Sequence, residues 1–350
     1  MFSLPLILPV VSIAFASLLT LSSLSPSLFW HQLLWYAIGF GLFFVFYFID
    51  WRPLINRRSV GWIIYALVIA LLVATFLFAP TIRGTRSWLV FGPFQIQVAE
   101  LAKGALIIVF AQYFARKHIS IAKLQHLAVP FLYFLVPAGL VLLQPDMGSA
   151  LILFGIWFGF LLVSGLPLRH FVAFGALFLV SGVLLWSFFL KDYQRDRLIG
   201  LFVPDRDPLG VNYNVIQSKI AIGSAGLLGK GYGQGSQAQL GFLPEAKTDF
   251  IFSAFIEEWG IVSGILLIGA FMFLIHRILR IGMKAERNFE KFICLGTAMM
   301  LLIHFLINAG EAVGFMPVIG VTFPFLSYGG SSLLINFFLL GIIHSIATRA

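Results

Sequence analysis

Apolar residues fall along this chain in long stretches separated by short polar connections. A membrane-crossing helix needs about 20 mostly apolar residues. That criterion predicts ten spans, at 4–23, 30–49, 59–79, 99–115, 127–144, 149–165, 169–190, 250–276, 291–312 and 326–348. Only Gly165-Leu166-Pro167-Leu168 separates the sixth from the seventh. The first span has no basic lead, since no Lys or Arg precedes Arg52, so we expect it to remain a span rather than a cleaved signal. The expected fold is therefore all-α, a polytopic ten-helix bundle forming a single membrane domain over 1–350. One long loop, 191–250, joins the seventh and eighth spans.

Basic residues set the orientation. One set of connections carries Arg52, Arg57, Arg58, Arg116, Lys117, Lys123, Arg169, Arg277, Arg280, Lys284, Arg287, Lys291 and Arg349. The alternate set is empty at 24–29 and 313–325 and holds only Arg83 and Arg86 at 80–98. Both termini are thus expected in the cytoplasm. The 191–250 loop is expected outside, because long loops cross regardless of charge. Composition agrees: 60% of residues are hydrophobic and 11% charged, where soluble domains have roughly a quarter charged. The net charge of +9 is mostly this inside bias, not a nucleic-acid footprint. The single Cys294 excludes an internal disulfide.

The loop holds seven basic and six acidic side chains, far more than any other segment. Asn214–Ile222 suits a short amphipathic helix, and the glycines between 223 and 235 follow with little helical propensity. Gly229-Lys230 does not make a phosphate loop, because Gly231 follows the lysine and Ser224 stands where the first glycine belongs. Asp205-Arg206-Asp207 matches a D-x-D pattern, although Pro204 and Pro208 suit a solvated turn. The seven histidines show no metal-ligand spacing, and no metal site follows from them.

Three further groups are candidates. Glu100 and Lys103 share one helix face at the start of the fourth span, as a cavity pair or a self-neutralising one. His304, Asn308 and Glu311 follow helical spacing in the ninth span and suit interhelical hydrogen bonding. Asp249 closes the loop immediately before the apolar run Phe250–Phe255, with Glu257 and Glu258 two turns deeper. It could cap the helix, or it could act as a general base, since a low-dielectric edge raises a carboxyl's proton affinity. The residues alone leave both roles open.

Longer strings carry a resemblance. They are Tyr193-Gln194-Arg195-Asp196-Arg197, Pro204-Asp205-Arg206-Asp207-Pro208-Leu209-Gly210, Gln217-Ser218-Lys219-Ile220-Ala221-Ile222-Gly223-Ser224, Gly229-Lys230-Gly231 and the run Phe242–Phe252. Outside the loop, Arg86-Ser87-Trp88, Glu100-Leu101-Ala102-Lys103, Gln144-Pro145-Asp146-Met147-Gly148-Ser149 and Pro324–Ser332 join them. Together they resemble the SEDS family (shape, elongation, division, sporulation) over nearly the whole chain, and the RodA branch more than the FtsW branch.

The resemblance implies a peptidoglycan glycosyltransferase of a bacterial cell (inner) membrane, active on the extracytoplasmic side. It implies polymerisation of lipid II into β-1,4 glycan strands during elongation. Implied partners are a class B penicillin-binding protein, other elongation complex proteins and membrane lipids, with no nucleic acid. The family's essential loop aspartate falls on Asp249. Substrate-binding candidates are Glu100, Lys103, Arg197, Lys219, Arg86, Trp88, Gln217, Ser218, Lys230 and Glu245. No cofactor is named outright; a divalent cation could help neutralise the pyrophosphate. A lipid II flippase and a scaffold for the crosslinking enzyme are the competing readings. The sequence departs from the family at Val98 and Ala99 of Gln97-Val98-Ala99-Glu100, and at Val203, Ala225, Glu311 and Thr322; none of these is Asp249, Glu100 or Lys103.

Overall fold

In the computed structural model, the described residues are 4–82, 84–92, 94–117, 125–165 and 212–349, with scattered positions inside 166–211. Among them, nine expected spans are helical. They are α1 (Leu4–Leu24), α2 (Pro26–Phe48), α4 (Arg58–Phe78), α5 (Val98–Lys117), α6 (Gln125–Leu143) and α7 (Met147–Val163), then α10 (Ile251–Lys284), α11 (Asn288–Val313) and α12 (Gly330–Arg349). Seven are long and apolar enough to cross a membrane, and α6 and α7 are shorter apolar helices. The chain is thus an all-α, multi-pass membrane protein. Of the expected span 169–190, only scattered positions are among the described residues. Short helices complete the set: α3 (Arg52–Ile55), α8 (Tyr213–Ser224) and α9 (Ser236–Gln239).

Burial sorts the helices into inner and outer members. Nearly every residue of α5 from Val98 to Phe114 is buried, and α11 and α12 bury most of their length. In contrast, α2 and α4 expose Phe44, Trp62, Ile63, Leu67 and Phe78, as lipid-facing helices do. The core is mostly apolar and aromatic, with Phe110, Phe114, Phe160 and Phe292 packed ring against ring where α5, α7 and α11 meet. Small residues permit the close approach: a side chain at Gly296 would meet Phe160 at 2.7 Å.

Two features were not expected. Residues 88–97 form an antiparallel hairpin, β1 (Trp88–Phe91) and β2 (Phe94–Gln97), turning at Gly92 with φ 59°. Its far end is anchored by Gln97, which donates to Asp146 Oδ2 at 2.7 Å and takes the Ser331 hydroxyl as acceptor of its own backbone N–H at 2.9 Å. Asp146 meanwhile caps α7 by accepting from the Ser149 amide at 3.0 Å.

The second is a break inside α10 at Gly260, where φ is 84° and ψ 171°. A break at membrane depth strands backbone groups that lipid cannot satisfy. The glycine segment of the loop satisfies them instead. Ile261 and Val262 donate to the carbonyls of Gly226 and Leu227 at 3.1 and 3.2 Å, and Lys230 and Gly231 donate to those of Glu257 and Glu258 at 3.0 Å each. The backbones approach too closely for any side chain: a Cβ on Gly260 would lie 2.4 Å from the Gly229 nitrogen. These glycines therefore shape a fixed insertion rather than a free hinge.

Candidate active site

Asp249 lies on a turn that precedes α10. The helix starts at Ile251 and its N-cap position falls to Phe250, so Asp249 stands one residue outside it. Glu245 opens the turn in a left-handed conformation, φ 53°, and its carbonyl accepts from the amides of Thr248 and Phe250 at 3.1 Å each. Such backbone is costly for a residue with a Cβ and persists only where its surroundings hold it. They do so here. Three consecutive carbonyls each take a donor from elsewhere: Lys247 from the Tyr328 amide at 3.1 Å, Thr248 from the Ser327 hydroxyl at 2.6 Å, and Asp249 from the Asn308 side chain at 2.7 Å.

The carboxylate of the half-buried Asp249 is directed at Gly320. A Cβ there would sit 3.4 Å from Asp249 Oδ2. Burial pushes the Tyr328 phenol above its usual value, so it stays a neutral hydroxyl at the same edge.

Below the turn runs a buried polar column on α11. His304, Asn308 and Glu311 are 4%, 0% and 0% exposed and lie along about 10 Å of helix. The Lys103 ammonium donates to Glu100 Oε1 at 2.7 Å and to His304 Nε2 at 2.9 Å. His304 Nδ1 lies 2.8 Å from the Met300 carbonyl. That carbonyl can only accept, so Nδ1 carries the hydrogen and Nε2 receives the lysine. Lys103 is 1% exposed. Glu100 and Lys103 thus have the geometry of a self-neutralising pair extended by a histidine.

The other candidates scatter. Ser218 bridges α8 to α10 and α11, 2.7 Å from the Ser253 hydroxyl and donating to Ala312 O at 2.6 Å. Lys219 is exposed and packs over Gly314, the left-handed cap of α11. A small open pocket beside it is lined by Val215, Ile216, Met316 and Val318. Gln217 is half-buried on α8. Arg86 is exposed, donating to Thr81 at 3.2 Å, and Trp88 is half-buried at the start of β1. The Glu245 carboxylate accepts from Thr248 at 2.8 Å. Arg197, Asp205 and Asp207 lie outside the described residues, among which no group of three or more His, Cys, Asp or Glu could hold a metal.

A model of the FtsW/RodA/SpoVE cell cycle proteins matches residues 1–350. The chain belongs to that family. Within it, the relatives and structural neighbours of this SEDS protein support the RodA branch. The chain is 38% identical over 291 residues to the peptidoglycan glycosyltransferase MrdB of Escherichia coli K12, covering 83% of this chain and 78% of MrdB. Against the stage V sporulation protein E of Bacillus subtilis it is 35% identical over 268 residues, covering 76% and 72%. Among solved structures, a chain from a study of polymerization and crosslinking by a peptidoglycan synthase complex matches with TM-score 0.86 and 34% identity, covering 99% and 98%. The rod shape determining protein RodA of Thermus thermophilus matches with TM-score 0.72 and 29% identity, covering 99% and 97%.

Lys230, a substrate-binding candidate by sequence, is engaged by a buried carboxylate that the sequence did not name as its partner. Lys230 donates to Glu257 Oε1 at 2.7 Å, and the same fully buried carboxylate accepts from the amides of Gln237 and Ala238. Glu258 accepts from Ser23 at 2.5 Å and Gln239 at 3.0 Å, tying the loop to α1. Nothing in the spacing of Glu257 and Glu258 names Lys230 or Ser23 as partners.

Proposed function

We infer that this SEDS protein is a peptidoglycan glycosyltransferase that polymerises lipid II at the outer face of the bacterial inner membrane, with both termini in the cytoplasm. The names of its relatives support the activity. The observation that carries the site is Asp249, an acceptor-only group on a rigid turn where the long loop meets the bundle. In the reaction, the 4-hydroxyl of the acceptor GlcNAc attacks C1 of the donor MurNAc. The C1–O bond to undecaprenyl pyrophosphate breaks, configuration inverts, and the hydroxyl proton passes to Asp249.

One base suffices because pyrophosphate leaves without protonation; it needs only charge neutralisation. Lys219 is exposed within the loop, and with Arg197 it is our choice for that task. Charge-assisted hydrogen bonds from such groups are strong in a partly dry site. Lys103 is engaged by Glu100 and His304, so it stabilises the bundle under the site instead. A class B penicillin-binding protein is the expected partner, supported by the likeness to a chain of a peptidoglycan synthase complex.

The test is direct. Purified protein in detergent, where no sidedness exists, is mixed with lipid II and glycan polymer is sought. Polymer supports the enzyme. Its absence, even with the transpeptidase partner added, would leave transport or scaffolding as the function.

A further inference from the structure

One turn of α11 touches both walls of the Asp249 site. The Asn308 amide nitrogen lies 2.7 Å from the carbonyl of Asp249 and 2.7 Å from that of Val321. Both are acceptors, so the amide must present its NH2 group to them; the flipped rotamer would set three oxygens against one another. Its own Oδ1 is buried and has no protein partner among the described residues, so nothing rewards the flip. One residue along the same face, at i+3, the buried Glu311 accepts from the Ile319 amide at 2.9 Å. Asn308 thus holds the turn that carries the carboxylate. Asn308 and Glu311 together hold both sides of Gly320, the residue that carboxylate faces.

Ile319–Val321 has little freedom left. Gly148 of α7 packs on the Ile319 carbonyl so closely that a Cβ would meet it at 2.9 Å. Gly320 itself is left-handed at φ 76°. Two side chains on one helix thus tie Asp249 to its facing backbone, while Ser327 and Tyr328 hold the same turn from the other side.

Building on the assignment of Asp249 as base, we propose that Asn308 and Glu311 are positioning residues for catalysis. They fix the base at working distance from the acceptor hydroxyl without touching substrate. A misplacement near 1 Å costs on the order of 10²-fold in rate. Loss of the Asn308 donors frees the Asp249 carbonyl; loss of the Glu311 acceptor frees the opposite wall.

The experiment uses the full chain in detergent with lipid II, measuring kcat, KM and the thermal midpoint for Asn308→Ala, Asn308→Ser, Glu311→Leu and Glu311→Gln beside Asp249→Asn. Expected are a drop in kcat of about 10²-fold for Asn308→Ala, a smaller drop for Asn308→Ser, which keeps one donor, and a drop for Glu311→Leu that Glu311→Gln largely rescues. KM stays within about twofold throughout, since substrate contacts are intact. Unchanged kcat in Asn308→Ala, or a loss matched by an equal fall in binding and melting, overturns the proposal. Should Asn308→Ala fail to fold, a wild-type kcat in Asn308→Ser and Glu311→Leu overturns it equally. An active Asp249→Asn would overturn the base itself, whereas an inactive one beside an active Asn308→Ala overturns only the positioning.

Discussion

At the scale of single residues, one cluster of buried charge closes on itself. Glu100, Lys103 and His304 satisfy one another at 2.7 and 2.9 Å with almost no solvent. Removing one member leaves an uncompensated buried charge, worth about 3–5 kcal/mol, whereas removing both can be nearly neutral. We expect Lys103→Met to lower the thermal midpoint sharply in detergent, and Glu100→Gln with Lys103→Met to recover most of it. Equal losses in the single and double variants would show that the pair is not self-neutralising. Part of this was legible: the three-residue spacing put Glu100 and Lys103 on one face, and helical spacing aligned His304, Asn308 and Glu311. What the spacing could not supply is that the two helices meet, because pairing of Lys103 with His304 lies 201 residues apart in the chain.

At the scale of elements, helix positions followed from apolar length, and observed ends mostly fall within a few residues of the expected ones. Two misses have physical reasons. The hairpin at 88–97 carried a signal, the apolar run Trp88–Phe91 and the alternation Phe94-Gln95-Ile96-Gln97 on either side of Gly92-Pro93, but it is too short to register as a 20-residue apolar span. The break at Gly260 had none, because an isolated glycine in an apolar run is ordinary until another backbone is seen to fill the gap. That docking predicts a contrast between glycines. Gly260→Ala must adopt φ 84° and push into Leu227 and Gly229, and it should cost several kcal/mol or prevent folding. Gly241→Ala also takes a left-handed φ, 76°, but meets nothing within 4 Å, and should cost about 1–2 kcal/mol. Detergent melting of the two variants checks the ordering; equal midpoints would contradict a docked loop.

At the scale of the whole molecule, the inner helices α5, α11 and α12 form a rigid frame, and the loop is built onto its end. α11 reaches the Asp249 turn through Asn308, and the segment leading into α12 reaches it through Ser327 and Tyr328. α10 holds the glycine segment through Glu257 and its own broken backbone. A base fixed in this way loses no rate to reorganisation at the moment of proton transfer. The sequence resemblance pointed to Asp249; the long-range hydrogen bonds that hold its turn are encoded in no local pattern. The claim that Asp249 is the base rests most directly on one rate. With lipid II and purified full-length protein, Asp249→Asn should polymerise about 10²–10⁴-fold more slowly than wild type while binding lipid II as tightly. An Asp249→Asn protein that polymerises within a few fold of wild type would contradict the account.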